Sequence, residues 1–319
     1  MLGRNITSDE YMDLLARGRA SAERWLQLEP EAMRQFYNRL PFAMQHRLTE
    51  HPLMQWPELK ALCRRMPPRE VRFRFGEIAP DADFDMSYSQ RYREGLTLDD
   101  ALDNLEARRA YVCIYNPERD PAYRPFLEQL LTEFAVATRH LDPGITWFST
   151  YVFISAQGSI TPYHMDREMN FLMQVRGSKT AYLWNQADPS VMSAAQKDQI
   201  LAYAGRRPQW LPELEPKAMR FELTPAMGIH HPFIAPHRVH TGPELSISLA
   251  LTFRTRWSDQ QTLAHHLNHK LRQLGLRPGD VGQHPLVDAA KAGVMDLARR
   301  SHARVRRLRG IDSSVPRPN

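Results

Sequence analysis

The chain has 319 residues, 42% of them hydrophobic, which is enough to bury a sizeable core and excludes an intrinsically disordered protein. Its two cysteines, Cys63 and Cys113, stand in no metal or redox spacing, so neither a disulfide framework nor a zinc module is available. The formal charge of +6 is matched by six arginines within 298–310, so the remainder is near neutral and the composition does not announce a nucleic-acid binder.

In chain order, residues 8–66 predict a helical region. Ser8 suits an N-cap, Tyr11, Leu14, Leu15, Trp25 and Leu26 recur at spacings that line one face, and the segments starting at Pro30 and Pro57 each open with a proline suited to a first helical turn. The pattern changes at 70–78, where Val71, Phe73 and Phe75 alternate with Arg72, Arg74 and Gly76, as in a strand with one buried face. A helix near 97–107, a strand over 110–116 and a helix over 122–137 follow. Strands then dominate, at 147–155, 170–177, 179–185, 219–224 and 245–253, interrupted by a helical insertion at 190–205 and a proline-rich stretch to 216. From 258 the chain returns to helix, over 262–275 and 286–309. The expected class is α+β, with a β-sandwich or barrel carrying helices at both ends. The expected divisions are a helical N-terminal region (1–68), a sheet domain (69–257) and a helical C-terminal extension with a basic tail (258–319).

One stretch of that sheet carries chemistry. In an extended segment alternate side chains share a face, so His164 and Asp166 project together while Tyr163 and Met165 face away. Two ligands do not close a metal site, and a third is available in 229–248, where His230, His231, His237 and His240 crowd together. His237 is the preferred third ligand and His240 its competitor; the surplus histidines are expected in a pocket or at the surface. Two histidines and one carboxylate leave three coordination positions open, the arrangement diagnostic of non-heme Fe(II) oxygenases.

The run Thr161-Pro162, His164, Asp166, Asn170-Phe171, continuing through Gln174, Gly177 and Lys179, resembles the JmjC-type hydroxylases of the cupin superfamily. The resemblance implies a double-stranded β-helix, the cupin or jelly-roll core, and an Fe(II) and 2-oxoglutarate-dependent dioxygenase. It also implies that His164, Asp166 and His237 bind iron and that Lys179 pairs with the distal carboxylate of 2-oxoglutarate. Thr161 is the implied hydroxyl donor to that carboxylate, and Asn170 lies near cosubstrate and iron. Burying such a carboxylate unpaired costs several kcal/mol, about what a lysine and a hydroxyl donor offset. The implied reaction is hydroxylation of a C–H bond in a protein side chain, an amino acid or a small metabolite, coupled to decarboxylation of 2-oxoglutarate. The rival is a non-oxygenase metal-binding cupin with a binding or regulatory role, which has no need of Lys179 and Thr161. Selectivity is expected in loop 80–96 and insertion 186–218, neither of which carries a readable code.

Leu286, Ala290, Val294, Leu297, Ser301, Val305 and Leu308 follow helical spacing, so the last helix has an apolar stripe that needs a partner. A homodimer through the C-terminal helices is expected, with the arginine-rich tail open to an anionic partner. No window approaches a transmembrane span and no N-terminal apolar run occurs, so the expected location is cytoplasmic.

Overall fold

The computed structural model describes residues 3–20, 24–84, 95–205 and 207–308. The chain opens with β1 (Arg4–Asn5), α1 (Ser8–Ala20), β2 (Leu26–Gln27), α2 (Pro30–Phe36), β3 (Ala43–His46), α3 (Trp56–Arg65), β4 (Val71–Arg74), α4 (Leu98–Asp103), β5 (Tyr111–Tyr115) and α5 (Arg124–Thr138). It continues through β6 (Ile145–Ser155), β7 (Ile160–His164), β8 (Met169–Arg176), β9 (Lys179–Leu183), α6 (Ala194–Leu201), β10 (Met219–Leu223), β11 (Met227–His231), β12 (His237–Thr241), β13 (Ser246–Thr255), α7 (Arg256–Gln273) and α8 (Pro285–Leu308). The described residues fall into two compact units, one made of those up to Ala187 together with Pro208–Thr255, the other of those from Asp188 to Arg207 together with α7 and α8.

In the first unit the described strands form two antiparallel sheets. The larger has the order β2-β3-β11-β8-β13-β6-β5-β4, with β1 added against β6, and the smaller has the order β10-β9-β12-β7. From β6 onward the chain crosses repeatedly between them, with β6, β8, β11 and β13 in one and β7, β9, β10 and β12 in the other. This is a double-stranded β-helix of the jelly-roll type, and the chain is α+β. Leu172, Ile229 and Ala250 of the large sheet pack with Ala181, Leu183, Leu223 and Val239 of the small one to fill the space between. Side chains alternate along a strand, so Asn170, His231 and His237, each two residues from a core position, face the same interior.

The strands β8 and β13 are buried along nearly their whole length, with the small and polar positions Ser246, Ser248, Ala250 and Thr252 of β13 on one face and Ile247, Leu249, Leu251 and Phe253 on the other. Their outer side is covered by α5, where the Phe134 ring lies 4.8 Å from Phe171 and 4.4 Å from Phe253. The N-terminal region is less helical than its periodicity predicts. Between its helices β2 pairs with β3, and β3 pairs with β11, extending the large sheet. Such short strands owe their existence to the sheet edge they complete, a tertiary contribution that local pattern does not carry.

Gly177 and Ser178 make the expected turn between β8 and β9. Gly177 has φ of 66°, and a Cβ there would collide with the carbonyl oxygen of Leu245. Glycine is required on both counts.

The second unit is helical. The carboxylate of Asp198 in α6 is 1% exposed and accepts from His265 Nδ1 at 2.6 Å and from Arg272 Nε at 2.7 Å, both on α7. Helix α8 buries Asp288 and Ala292. Its predicted stripe faces outward instead, with Leu286, Val294 and Leu297 being 87%, 57% and 68% exposed. The side chains of Val305 and Leu308, like those of Arg306, Arg307 and Arg309, lie outside the described residues, as does 85–94 of the expected selectivity loop. No described helix is long and apolar enough to cross a membrane.

Candidate metal centre

The neighbouring strands β7 and β12 bring His164 and His237 directly opposite one another, next to an irregularity in register between His237 and Val239. The two rings are 4.1 Å apart and both residues are 5% exposed. Strand β7 ends at His164, so Asp166 does not share a strand face with it as alternation predicts. It lies in the connection to β8, whose backbone turns the carboxylate to within 3.8 Å of His237 Nε2. One ligand atom from each of His164, Asp166 and His237 lies within 4.8 Å of the others, and this is the one such group among the described residues.

Hydrogen bonds fix which ring nitrogens are left to face the group's centre. His164 Nδ1 is 2.8 Å from the carbonyl oxygen of Pro162, and His237 Nδ1 is 3.0 Å from that of Ala235. A carbonyl only accepts, so both histidines donate from Nδ1, and Nε2 is the nitrogen that could serve a metal. The Phe84 ring stacks on His164 with centroids 3.8 Å apart and planes 5° from parallel, a second restraint on ring orientation. The donor set therefore fits a divalent first-row metal, with protein on one face and three positions open.

The Cα atoms of Lys179 and Leu183 on β9 pair with Thr241 and His237 of β12. Four residues of strand, about 13 Å, thus separate the level of Lys179 from that of the triad. Lys179 is 4% exposed, and burial pushes its ammonium pKa down to about 7. Its Nζ lies 5.7 Å over the Phe153 ring, and it is ion-paired with no acid among the described residues. Thr161, on the other side of β12, pairs with Val239 and has its Oγ1 3.5 Å from the Tyr111 hydroxyl. Asn170 is 7% exposed, pairs with His231 and Thr252 on the two flanking strands, and has an Oδ1 without a hydrogen-bond partner among the described residues.

The surplus histidines separate by face. His230 is a core residue, fully buried and stacked between Tyr37 and Phe171, with Nε2 accepting from Asn38 N at 3.0 Å and Nδ1 3.1 Å from the Asn170 carbonyl. Burial lowers its pKa to about 3, so it stays neutral. His240, the competing third ligand, points to the outer face of the small sheet. It borders a cavity of about 470 Å³ with Trp210, Glu215 and Arg238, away from His164 and Asp166. His231 faces inward with its ring 4.5 Å from His237. The sequence signal that separates them is the alternation along 229–231, where the neighbour of His230 on one side is the core residue Ile229. Phe84 carries no such signal, because its contact comes from a loop distant in sequence.

No family model and no curated protein matches the sequence. Among solved structures, an X-ray structure of E. coli ycfD is similar at 15% identity, over 86% of this chain and 69% of that one, with a TM-score of 0.46. The Escherichia coli ribosomal oxygenase YcfD in complex with cobalt and 2-oxoglutarate is similar at 14% identity, over 86% and 68%, with a TM-score of 0.45. DMSP lyases RdDddP and RnDddQII match 34% of this chain and 38% of theirs at 17% identity, with a TM-score of 0.23. The chain is a double-stranded β-helix that brings two histidines and one carboxylate within 4.8 Å of one another.

Proposed function

We propose that this chain is an Fe(II) and 2-oxoglutarate-dependent oxygenase that hydroxylates a C–H bond of a protein side chain, an amino acid or a small metabolite. The observation that carries the reading is Lys179. A fully buried ammonium that titrates near 7 and has no acid beside it is costly unless an anion is meant to join it, and a metal-only cupin has no use for one. Its place on the interior face, beyond the triad and across β12 from Thr161, suits a dicarboxylate whose other end meets the metal.

When bound, iron supplies the activation of dioxygen coupled to oxidative decarboxylation of the 2-oxo acid. The chain holds and orients. His164 and His237 direct their Nε2 lone pairs through their Nδ1 bonds to Pro162 and Ala235, and Asp166 offsets part of the metal charge. Lys179 neutralises the distal carboxylate, and the Thr161 hydroxyl donates to it. The burial of His164, His237 and Lys179 limits water beside the reacting groups. A cytoplasmic setting is part of the proposal, supported by the buried free thiols of Cys63 and Cys113.

The test is anaerobic binding of 2-oxoglutarate to the Fe(II)-loaded protein, followed by succinate release in air across a panel of peptides, amino acids and metabolites. Tight, metal-dependent binding of 2-oxoglutarate and substrate-stimulated succinate are expected. Metal binding with no 2-oxoglutarate affinity would assign the chain to the metal-only cupins instead.

A further inference from the structure

The large sheet contributes one imidazole to the interior that the triad does not use. His231 ends β11 and is 3% exposed. Ile229, two residues before it, belongs to the core between the sheets, so His231 faces the same space. It stands across from Asn170 of β8, and its ring meets that of His237 edge-on, with centroids 4.5 Å apart and planes at 65°.

Neither Nδ1 nor Nε2 of His231 has a hydrogen-bond partner among the described residues, and Asn170 Oδ1 has none either. Burying an N–H and a ring lone pair without partners is unfavourable, and leucine would fill the position without that penalty. Orphaned polar atoms of this kind point to a partner from outside the chain. That partner is not the ion itself, because His231 is not in the group of ligand atoms that lie within 4.8 Å of one another. An imidazole keeps at least one ring N–H in either protonation state, so His231 has a donor to offer.

We infer that His231 binds the ligand that completes the coordination of the metal, its ring N–H donating to the metal-proximal carboxylate of the 2-oxo acid, an assignment that rests on the oxygenase reading above. The carboxylate oxygens are the acceptors, and a hydrogen bond from a buried ring N–H to a carboxylate is of the stronger, charge-assisted kind.

The test uses the full-length protein loaded with Co(II) under argon and titrated with 2-oxoglutarate, read by calorimetry and by the Co(II) absorption bands. In His231→Leu the Co(II) affinity stays within about twofold of wild type while the 2-oxoglutarate Kd rises about tenfold, and His231→Gln, which keeps an N–H, recovers to within about threefold. Independently of how the leucine variant folds, ¹⁵N-histidine-labelled, Zn(II)-loaded wild type gains a slowly exchanging imidazole N–H resonance on addition of 2-oxoglutarate, and His231→Gln lacks it. Wild-type 2-oxoglutarate affinity in His231→Leu, absence of that resonance, or a parallel loss of Co(II) affinity would each overturn the assignment. Failure of Co(II)-loaded wild type to bind 2-oxoglutarate at all overturns the oxygenase reading, and the role of His231 falls with it.

Discussion

At His164, Asp166 and His237, replacement by alanine removes one of three donors from a group that has no spare, since His240 faces the other side of its strand. Each variant is expected to lose more than about 100-fold in Co(II) affinity, beyond the 10- to 100-fold typical of groups that merely orient a ligand. The circular dichroism spectrum stays that of wild type, and His240→Ala binds Co(II) normally; a loss of metal in His240→Ala would reverse the choice of ligand. Lys179 connects burial, charge and pH. Its folded pKa of about 7 lies below the unfolded value of about 10.4, so keeping it charged costs the ligand-free fold most below pH 7, and the cost vanishes as pH rises to the unfolded value. Lys179→Met should therefore stabilise the ligand-free protein by several kcal/mol near pH 6, with the advantage shrinking toward pH 10, as urea titrations at several pH values would measure. The same substitution should weaken 2-oxoglutarate binding by about 2–5 kcal/mol while leaving Co(II) affinity in place. In wild type the cosubstrate prefers the protonated amine, so its affinity should fall as pH rises above 7. Flat affinity between pH 7 and 9 would remove Lys179 from the binding site.

Among the elements, the turn joining β8 to β9 is the most demanding, because it sets the register that places Asn170 and Lys179 on the interior face. Gly177→Ala meets both a positive φ and the Leu245 carbonyl, so a loss of about 1–3 kcal/mol in unfolding free energy is expected, and an unchanged urea midpoint would show that the turn can rearrange. That turn was legible in the sequence, as were β8 and β13, because their signals are local: a Gly-Ser pair between apolar runs, and strands long enough to show their pattern. The triad histidines were legible for the same reason, each lying on a short extended segment with recognisable spacing. What could not be read depends on partners far along the chain. The strands β2 and β3 are fixed by the edge they complete, and Asp166 is carried to the two histidines by a connection rather than by alternation. Phe84 meets His164 from a separate loop, and His231 is distinguishable from His230 only once β11 is known to be a strand.

For the whole molecule, the unresolved demand lies in the helical unit. Helix α8 buries Asp288 and Ala292, yet leaves Leu286, Val287, Val294 and Leu297 between 50% and 87% exposed. Leu274 and Leu276, in the stretch that links α7 to α8, are also exposed, at 76% and 55%. Isolated exposed leucines are common, but Leu286, Val294 and Leu297 recur at helical spacing on one element, and covering each such side chain is worth about 1.5–3 kcal/mol. A second copy of the chain is our proposed cover, since an isologous contact lets one apolar face bury itself against its own image. Sedimentation of the full-length protein should then give a dimer. Val294→Asp with Leu297→Asp, both on exposed positions, should give a monomer with undiminished helix content and unchanged Co(II) affinity, because the triad belongs to the other compact unit. Truncation after Thr255 removes α7 and α8 together, strips α6 of the His265 and Arg272 contacts to Asp198, and should yield a monomer of lower solubility. A monomeric full-length protein would rule the dimer out and leave the exposed face of α8 without a second copy to cover it.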